Sequence, residues 1–211
     1  MRQSEVNGTY DRLAPRYDDW SARVVPALRE QWARKVGDFI ERGERVVELG
    51  CGTGVPVGRL LSERYGYTGV DASAEMLGKA RATLPHATLM HADMSTVEFP
   101  TQSIGAVISF YAISHLAREH HAQLFGSIAS WLRADGVFVG NLSSHDDPES
   151  VEASWLEAGP MRWSGFDATA NEQLLADVGL RIVESDIIHQ VEPDGCQIRP
   201  MWFVGQRVPT P

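Results

Sequence analysis

Two rhythms of apolar and polar positions alternate along this chain. Short apolar runs of strand type occur at 46–49, 67–71, 87–91, 105–110, 137–142, 180–189 and 200–208. Between them, apolar residues recur every three or four positions, the spacing of a helix with one buried face. Leu28, Trp32, Val36, Phe39 and Ile40 make one such stripe over 27–41. Val57, Leu60 and Leu61 make another, predicting a helix over 56–65 that ends near Gly66, with Pro56 at its start. Further helices are expected after Ser73, which reads as an N-cap, over 118–132, and over 168–178 behind the cap Asp167. The run 105–110 is apolar toward both faces, as a central parallel strand should be.

Residues 143–166 break the rhythm. Ser143 to Glu149 is polar, and Trp155, Leu156, Met161, Trp163 and Phe166 follow, interrupted by Gly159, Pro160 and Gly165. The stretch reads as an aromatic-rich loop able to cover a ligand, with a strand-like insertion packing on a core of its own as the alternative. The last two apolar runs are joined by a polar turn at Pro193-Asp194-Gly195.

Composition narrows the classes. The 211 residues are 43% hydrophobic and 22% charged, an ordinary globular balance for one domain with a small appendage. The formal net charge of −9 argues against nucleic acid or an anionic membrane as partner. Two cysteines, Cys51 and Cys196, make neither a disulfide framework nor a metal site, and no histidine cluster has ligand spacing. No apolar stretch is long enough for a bilayer and no signal peptide is visible, so the expectation is a soluble, cytoplasmic protein with no metal. Monomer and homodimer both stay open.

The candidate chemistry centres on VVELGCGTGVPVG, residues 46–58. An apolar strand ending in Glu48 and Leu49 feeds glycines at 50, 52 and 54, then a helix. Bare backbone approaches a ligand closely and accepts positive φ. The helix N-terminus behind it offers free N–H groups to an anion. The dinucleotide fingerprint G-x-G-x-x-G requires glycine or alanine at 55, where Val55 stands. Asp71, 21 residues after Gly50, is near the ~20 expected of an acid that bonds ribose hydroxyls.

The run E-L-G-C-G-T-G resembles the first motif of the class I S-adenosylmethionine-dependent methyltransferases. Other segments extend the likeness over about 10–208: YDRLAPRYD at 10–18, DASAEML at 71–77, HADM at 91–94, and LRADGVFV at 132–139. The resemblance implies an α/β, Rossmann-like, seven-stranded, mostly parallel sheet with helices on both faces and an antiparallel C-terminal edge. It implies that Glu48, Gly50, Cys51, Gly52, Thr53 and Gly54 line a site for S-adenosyl-L-methionine. Asp71 and Ala72 would lie at the ribose, Met76 against adenine, and Ala92, Asp93 and Met94 at the adenine end. Phe110 ends the fourth strand, where relatives place groups near the departing methyl. Residues 1–45 would form a helical cover, with Tyr10 and Tyr17 near the sulfonium, which an aromatic face attracts. Packing roles remain open for both tyrosines and for Met76, and a cap role for Asp93.

The acceptor side would be built from Tyr111, His115, Trp155, Met161 and Trp163; whether Trp202 and His189 face the cleft, the sequence does not settle. His115, with an ordinary pKa of roughly 6.5, is the candidate general base, or else a polar residue orienting a helix start. His120 and His121 read as members of a solvated helix face. Methyl transfer to a small molecule by in-line displacement is the expected function. A nicotinamide-dependent oxidoreductase, opposed by Val55, and a non-catalytic S-adenosylmethionine-binding partner subunit are the rivals. An RNA methyltransferase would want a basic appendage that the chain lacks.

Overall fold

The computed structural model describes residues 2–208; positions 1 and 209–211, included in the single-domain expectation, lie outside the described residues. The helices are α1 (Arg2–Ser21), α2 (Pro26–Arg34), α3 (Val57–Ser62), α4 (Ala74–Thr83), α5 (His121–Trp131) and α6 (Ala168–Asp177). The strands are β1 (Arg45–Leu49), β2 (Gly66–Asp71), β3 (Thr88–His91), β4 (Ile104–Ser109), β5 (Leu132–Leu142), β6 (Asp147–Trp155), β7 (Gly159–Gly165), β8 (Leu180–Ile187), β9 (Gln190–Val191), β10 (Gln197–Ile198) and β11 (Met201–Arg207).

A seven-stranded sheet runs in the order β3-β2-β1-β4-β5-β11-β8. Its first five strands pair in parallel. β11 enters antiparallel between β5 and β8, so β8 and β11 form the antiparallel edge pair. The period-2 rule sorts each apolar run between two layers. Val47, Val107, Phe138 and Phe203 face α5 and α6 in one core. Val46, Ala106, Ile108, Val137, Val139, Trp202 and Val204 face Trp32, Val36, Val57 and Leu61 in the other. That two-sided burial is why 105–110 carries no polar alternation.

Several expectations are corrected. The stripe over 27–41 is α2 followed by a 3₁₀ turn at Lys35–Asp38. The helix over 118–132 is a 3₁₀ turn at Arg118–His120 and then α5, and β5 begins already at Leu132. His121 is 1% exposed and packs on Phe125 and Phe166, so only His120 is solvated. Trp202 is fully buried, stacked on Trp32 at 5.8 Å, and His189 is exposed; neither lines the cleft, a point the sequence left open.

Residues 147–165 are the antiparallel hairpin β6–β7, packed on a small core shared with α1: the strand-like alternative and not the loop. Its turn holds Leu156 at φ 49° and Glu157 at φ 56°. Asn-Gly pairs normally signal positive φ at both central turn positions; Leu-Glu stands here instead and carries no such cue. The Pro193-Asp194-Gly195 turn closes the small separate hairpin β9–β10.

Candidate active site

β1 delivers the chain to the carboxyl edge of the sheet and into the glycine loop. Gly50 has φ +76°, and a Cβ there would collide with Ala112 Cβ, so this position admits no side chain. Asp71 ends β2 beside it. Its Oδ2 accepts from Gly52 N–H at 2.7 Å and its Oδ1 from Ser73 N–H at 2.8 Å. Ser73 caps α4, accepting from Met76 N–H at 3.1 Å. Around this corner lies a cleft lined by Glu48, Gly50, Cys51, Gly52, Asp71, Ala72, Met76, Ala92, Asp93, Met94 and Phe110, and by Tyr10 and Tyr17 of α1.

The cleft is electrostatically unusual. Burial pushes the Glu48 carboxyl up to about 8, although Tyr67 O–H donates to it and the Arg29 guanidinium favours its charge. Burial also raises Asp71 above the usual carboxylate range, opposed by its backbone hydrogen bonds. Arg29 is 8% exposed. Its Nη2 donates to Ser21 C=O at 2.7 Å while its buried Nε has no partner.

A second cavity, about 390 Å³, lies between α1, the β6–β7 hairpin and the β9–β10 hairpin. Trp20, Asn141, Trp155, Trp163 and Glu192 line it alone, whereas Tyr10, Tyr17, Arg29, Tyr111 and His115 line both spaces. The wall is aromatic. Tyr10–Tyr17, Tyr17–Trp20, Trp20–Trp155 and Trp155–Tyr10 form a closed circuit with ring centroids 6.1, 5.9, 5.3 and 5.8 Å apart.

At the junction, Tyr10 and His115 are joined. His115 Nδ1 lies 2.9 Å from Arg162 C=O, which can only accept, so that nitrogen carries the proton. His115 Nε2 therefore accepts from Tyr10 O–H at 2.8 Å. Burial holds the imidazole down at about 4. Tyr111 occupies the left-handed region at φ 56°, its N–H donating to Asn141 Oδ1 at 2.7 Å and its O–H to Gln190 Oε1 at 2.6 Å.

α1 borders both spaces, and the hairpin, which borders the second, packs against it. Val6, Leu13, Trp155, Ala158 and Met161 share a third small core. Thr9 O–H donates to Pro160 C=O at 2.7 Å, Arg12 to Ala158 C=O, and Arg162 pairs with Glu5 at 3.1 Å. At the other end, Thr53 O–H and Ser73 O–H donate to Asp18 and Asp11, each at 2.6 Å.

Comparison with known proteins decides the family. A methyltransferase-domain family matches residues 46–136. Phosphatidylethanolamine N-methyltransferase of Cereibacter sphaeroides is 32% identical over 192 residues, 87% of this chain and 91% of that protein. The chain belongs to the class I S-adenosylmethionine-dependent methyltransferases. Its cofactor is S-adenosylmethionine. Among solved structures, a methyltransferase of Haloferax volcanii in complex with the Trm112 methyltransferase activator superposes with TM-score 0.76 at 21% identity, covering 98% of this chain and 99% of that one. The 1,6-didemethyltoxoflavin-N1-methyltransferase of Burkholderia thailandensis, with bound 1,6-didemethyltoxoflavin and S-adenosylhomocysteine, gives TM-score 0.67 at 16% identity over 92% of this chain and 82% of that one.

The methyltransferase brings most of the sequence candidates together, but not all. Thr53 and Gly54 do not line the cleft: Thr53 binds α1, and Gly54, at φ +81°, abuts Leu84. Met161 is wholly buried in the cover core and lines neither space. Asp93 commits Oδ1 to Ser95, as a turn cap does, while still lining the cleft. His115 is not poised near neutrality; desolvation has removed that property. Arg29 was missed, although a signal existed: it precedes Trp32 and Ala33 by three and four residues on the buried face of α2. Among the described residues, no helix is long and apolar enough to cross a membrane, and no group of three or more His, Cys, Asp or Glu could hold a metal ion.

Proposed function

We propose that this methyltransferase transfers its methyl group to a small molecule held in the cavity under α1 and the β6–β7 hairpin. One observation carries the reading: that cavity and the glycine-loop cleft are adjacent and share the lining residues Tyr10, Tyr17, Arg29, Tyr111 and His115. A donor and an acceptor lying in the two spaces would meet there.

The cleft suits the cofactor on this chain's own terms. Gly50 takes a positive φ and packs tightly on Ala112, bringing bare backbone to the cleft, and Asp71 retains lone pairs for vicinal hydroxyls. Arg29 offers an unsatisfied buried donor for a carboxylate, and Glu48 faces the same space as a partner for an ammonium. When bound, S-adenosylmethionine supplies a methyl on a sulfonium whose departure leaves a neutral thioether. The protein then contributes mainly by positioning, because holding the nucleophile about 3 Å from the methyl, in line, is worth several kcal/mol. Tyr10, anchored by His115, and Tyr17 present aromatic faces where the cation would lie. The cover excludes water.

The names of relatives point to unlike acceptors, phosphatidylethanolamine in one and trans-aconitate in another, a Rhizobium rhizogenes protein 29% identical over 57% of this chain. The acceptor's size class is therefore argued from the cavity. A net charge of −9 supports a free small molecule over nucleic acid or an anionic bilayer, and two free cysteines suit the cytoplasm. Incubation with methyl-labelled cofactor and fractionated cell extract tests the reading. Label should enter the low-molecular-weight fraction and depend on Asp71 and Gly50. Label confined to RNA or protein would refute it.

A further inference from the structure

The second cavity is more specific than its size requires. Its wall combines the four-ring circuit of Tyr10, Tyr17, Trp20 and Trp155 with a rim of carboxylates from two elements. Glu152 comes from β6, and Glu192 and Asp194 from the β9–β10 hairpin and its turn; Asp147 lies at the start of β6. The opposing cations on this wall are Arg199, which is exposed, and Arg29, which sits at the junction with the cofactor cleft. Glu192 is half-buried, and among the described residues its carboxylate has no hydrogen bond or ion pair.

From this juxtaposition we infer that the acceptor is a cationic amine, seated in the aromatic circuit with its charge answered by Glu192. Three arguments support it. Aromatic rings attract cations within about 6 Å of the centroid, most strongly where water is excluded. The tryptophan half of the circuit, Trp20 and Trp155, packs on the cover core and also borders the second cavity but not the cofactor cleft, so its exposed faces are offered to the acceptor and not to the sulfonium. The Glu192 carboxylate sits on the cavity wall with no protein hydrogen bond or ion pair among the described residues, so its charge can pair with a bound cation.

The chemistry balances. An ammonium has no lone pair, so the acceptor must first pass one proton to a base. Glu192 is the carboxylate available, facing Tyr10, Tyr111 and Asp194. Its burial, with Asp194 adding to the effect, raises it to about 7, closer to an amine than an ordinary carboxyl. The freed nitrogen pair then forms the C–N bond as the S–CH₃ bond breaks, its electrons staying on sulfur. The product is again a cation in the same box, one methyl larger.

This rests on the proposed function, and the test separates the two. Calorimetry would titrate choline and its neutral carbon isostere 3,3-dimethylbutan-1-ol into the protein, with and without saturating S-adenosylhomocysteine. Choline should bind at least about fivefold more tightly than the isostere. Trp155→Leu and Glu192→Gln should each remove most of that preference while leaving S-adenosylhomocysteine affinity within about twofold. Glu192→Gln removes no packed apolar group, so it stands if Trp155→Leu fails to fold. Equal binding of choline and isostere, or a preference untouched by Glu192→Gln, overturns the amine assignment, whereas failure of S-adenosylhomocysteine to bind would count against the cofactor cleft instead.

Discussion

Glu48 shows what one buried carboxyl does in an adenosyl cleft. Its pKa of about 8 in the fold compares with roughly 4.3 for a free Glu. The folded state therefore holds this proton more tightly than the unfolded chain. Its contribution to stability is fullest at acid pH, declines as pH rises through that window, and levels off above about 8. Glu48→Gln should raise Tm at pH 8 and leave it nearly unchanged at pH 4.5, while weakening S-adenosylhomocysteine binding by about tenfold or more. Thermal melts at the two pH values, with calorimetry, check both parts. His115 behaves oppositely. Burial holds it at about 4, so it is neutral through the working range, and its Nε2 accepts from Tyr10 O–H; we propose that it positions Tyr10. His115→Gln should lower kcat severalfold without altering the pH–rate profile between pH 5 and 9. A limb near pH 6.5 that vanishes in the variant would restore His115 as a base.

At the scale of elements, α1 and the β6–β7 hairpin form a pair that borders the second cavity. Neither buries much alone: β6 is exposed along nearly its whole length, and α1 contributes Val6 and Leu13 to the shared core. Polar ties at both ends hold them, with Arg162 bridging Glu5 on α1 and Glu149 on β6. Such weakly buried elements open at lower free energy than the sheet. Arg162→Ala should accelerate amide exchange across α1 while the sheet strands keep their protection. Saturating S-adenosylhomocysteine should slow exchange in α1 again. Uniform loss of protection in α1 and β4 alike would show that the cover is not an independent unit.

Across the whole molecule, stability resides in the sheet and its two apolar layers, and function at one edge of it. A ligand that binds only the folded chain adds about 2.7 kcal/mol at a hundredfold excess over its Kd. For a chain of this length that corresponds to a Tm increase of roughly 5–10 °C. A thermal scan with S-adenosylhomocysteine should show this increase, and Gly50→Ala should abolish it. An unchanged Tm for the wild type would remove the cleft from consideration as the cofactor site.

Local patterning determined a great deal by itself. Parallel strands buried on both faces must read as continuous apolar runs, and 105–110 does. Positive φ at Gly50 demands glycine, and a capped α4 demands a residue such as Ser73. Those requirements act over a few residues, so the glycine loop, Asp71 and the sheet's core strands were legible. Only the tertiary structure decided what depends on approach between distant segments. It seated Arg29 and Tyr17 at one junction, and bonded Tyr10 to His115 across 105 positions of sequence. It buried His121, set Met161 in the cover rather than the cavity, and made 147–165 a hairpin rather than a loop. Burial and partnership, which set pKa and access, arise from contacts between segments far apart in sequence, and no local rhythm encodes them.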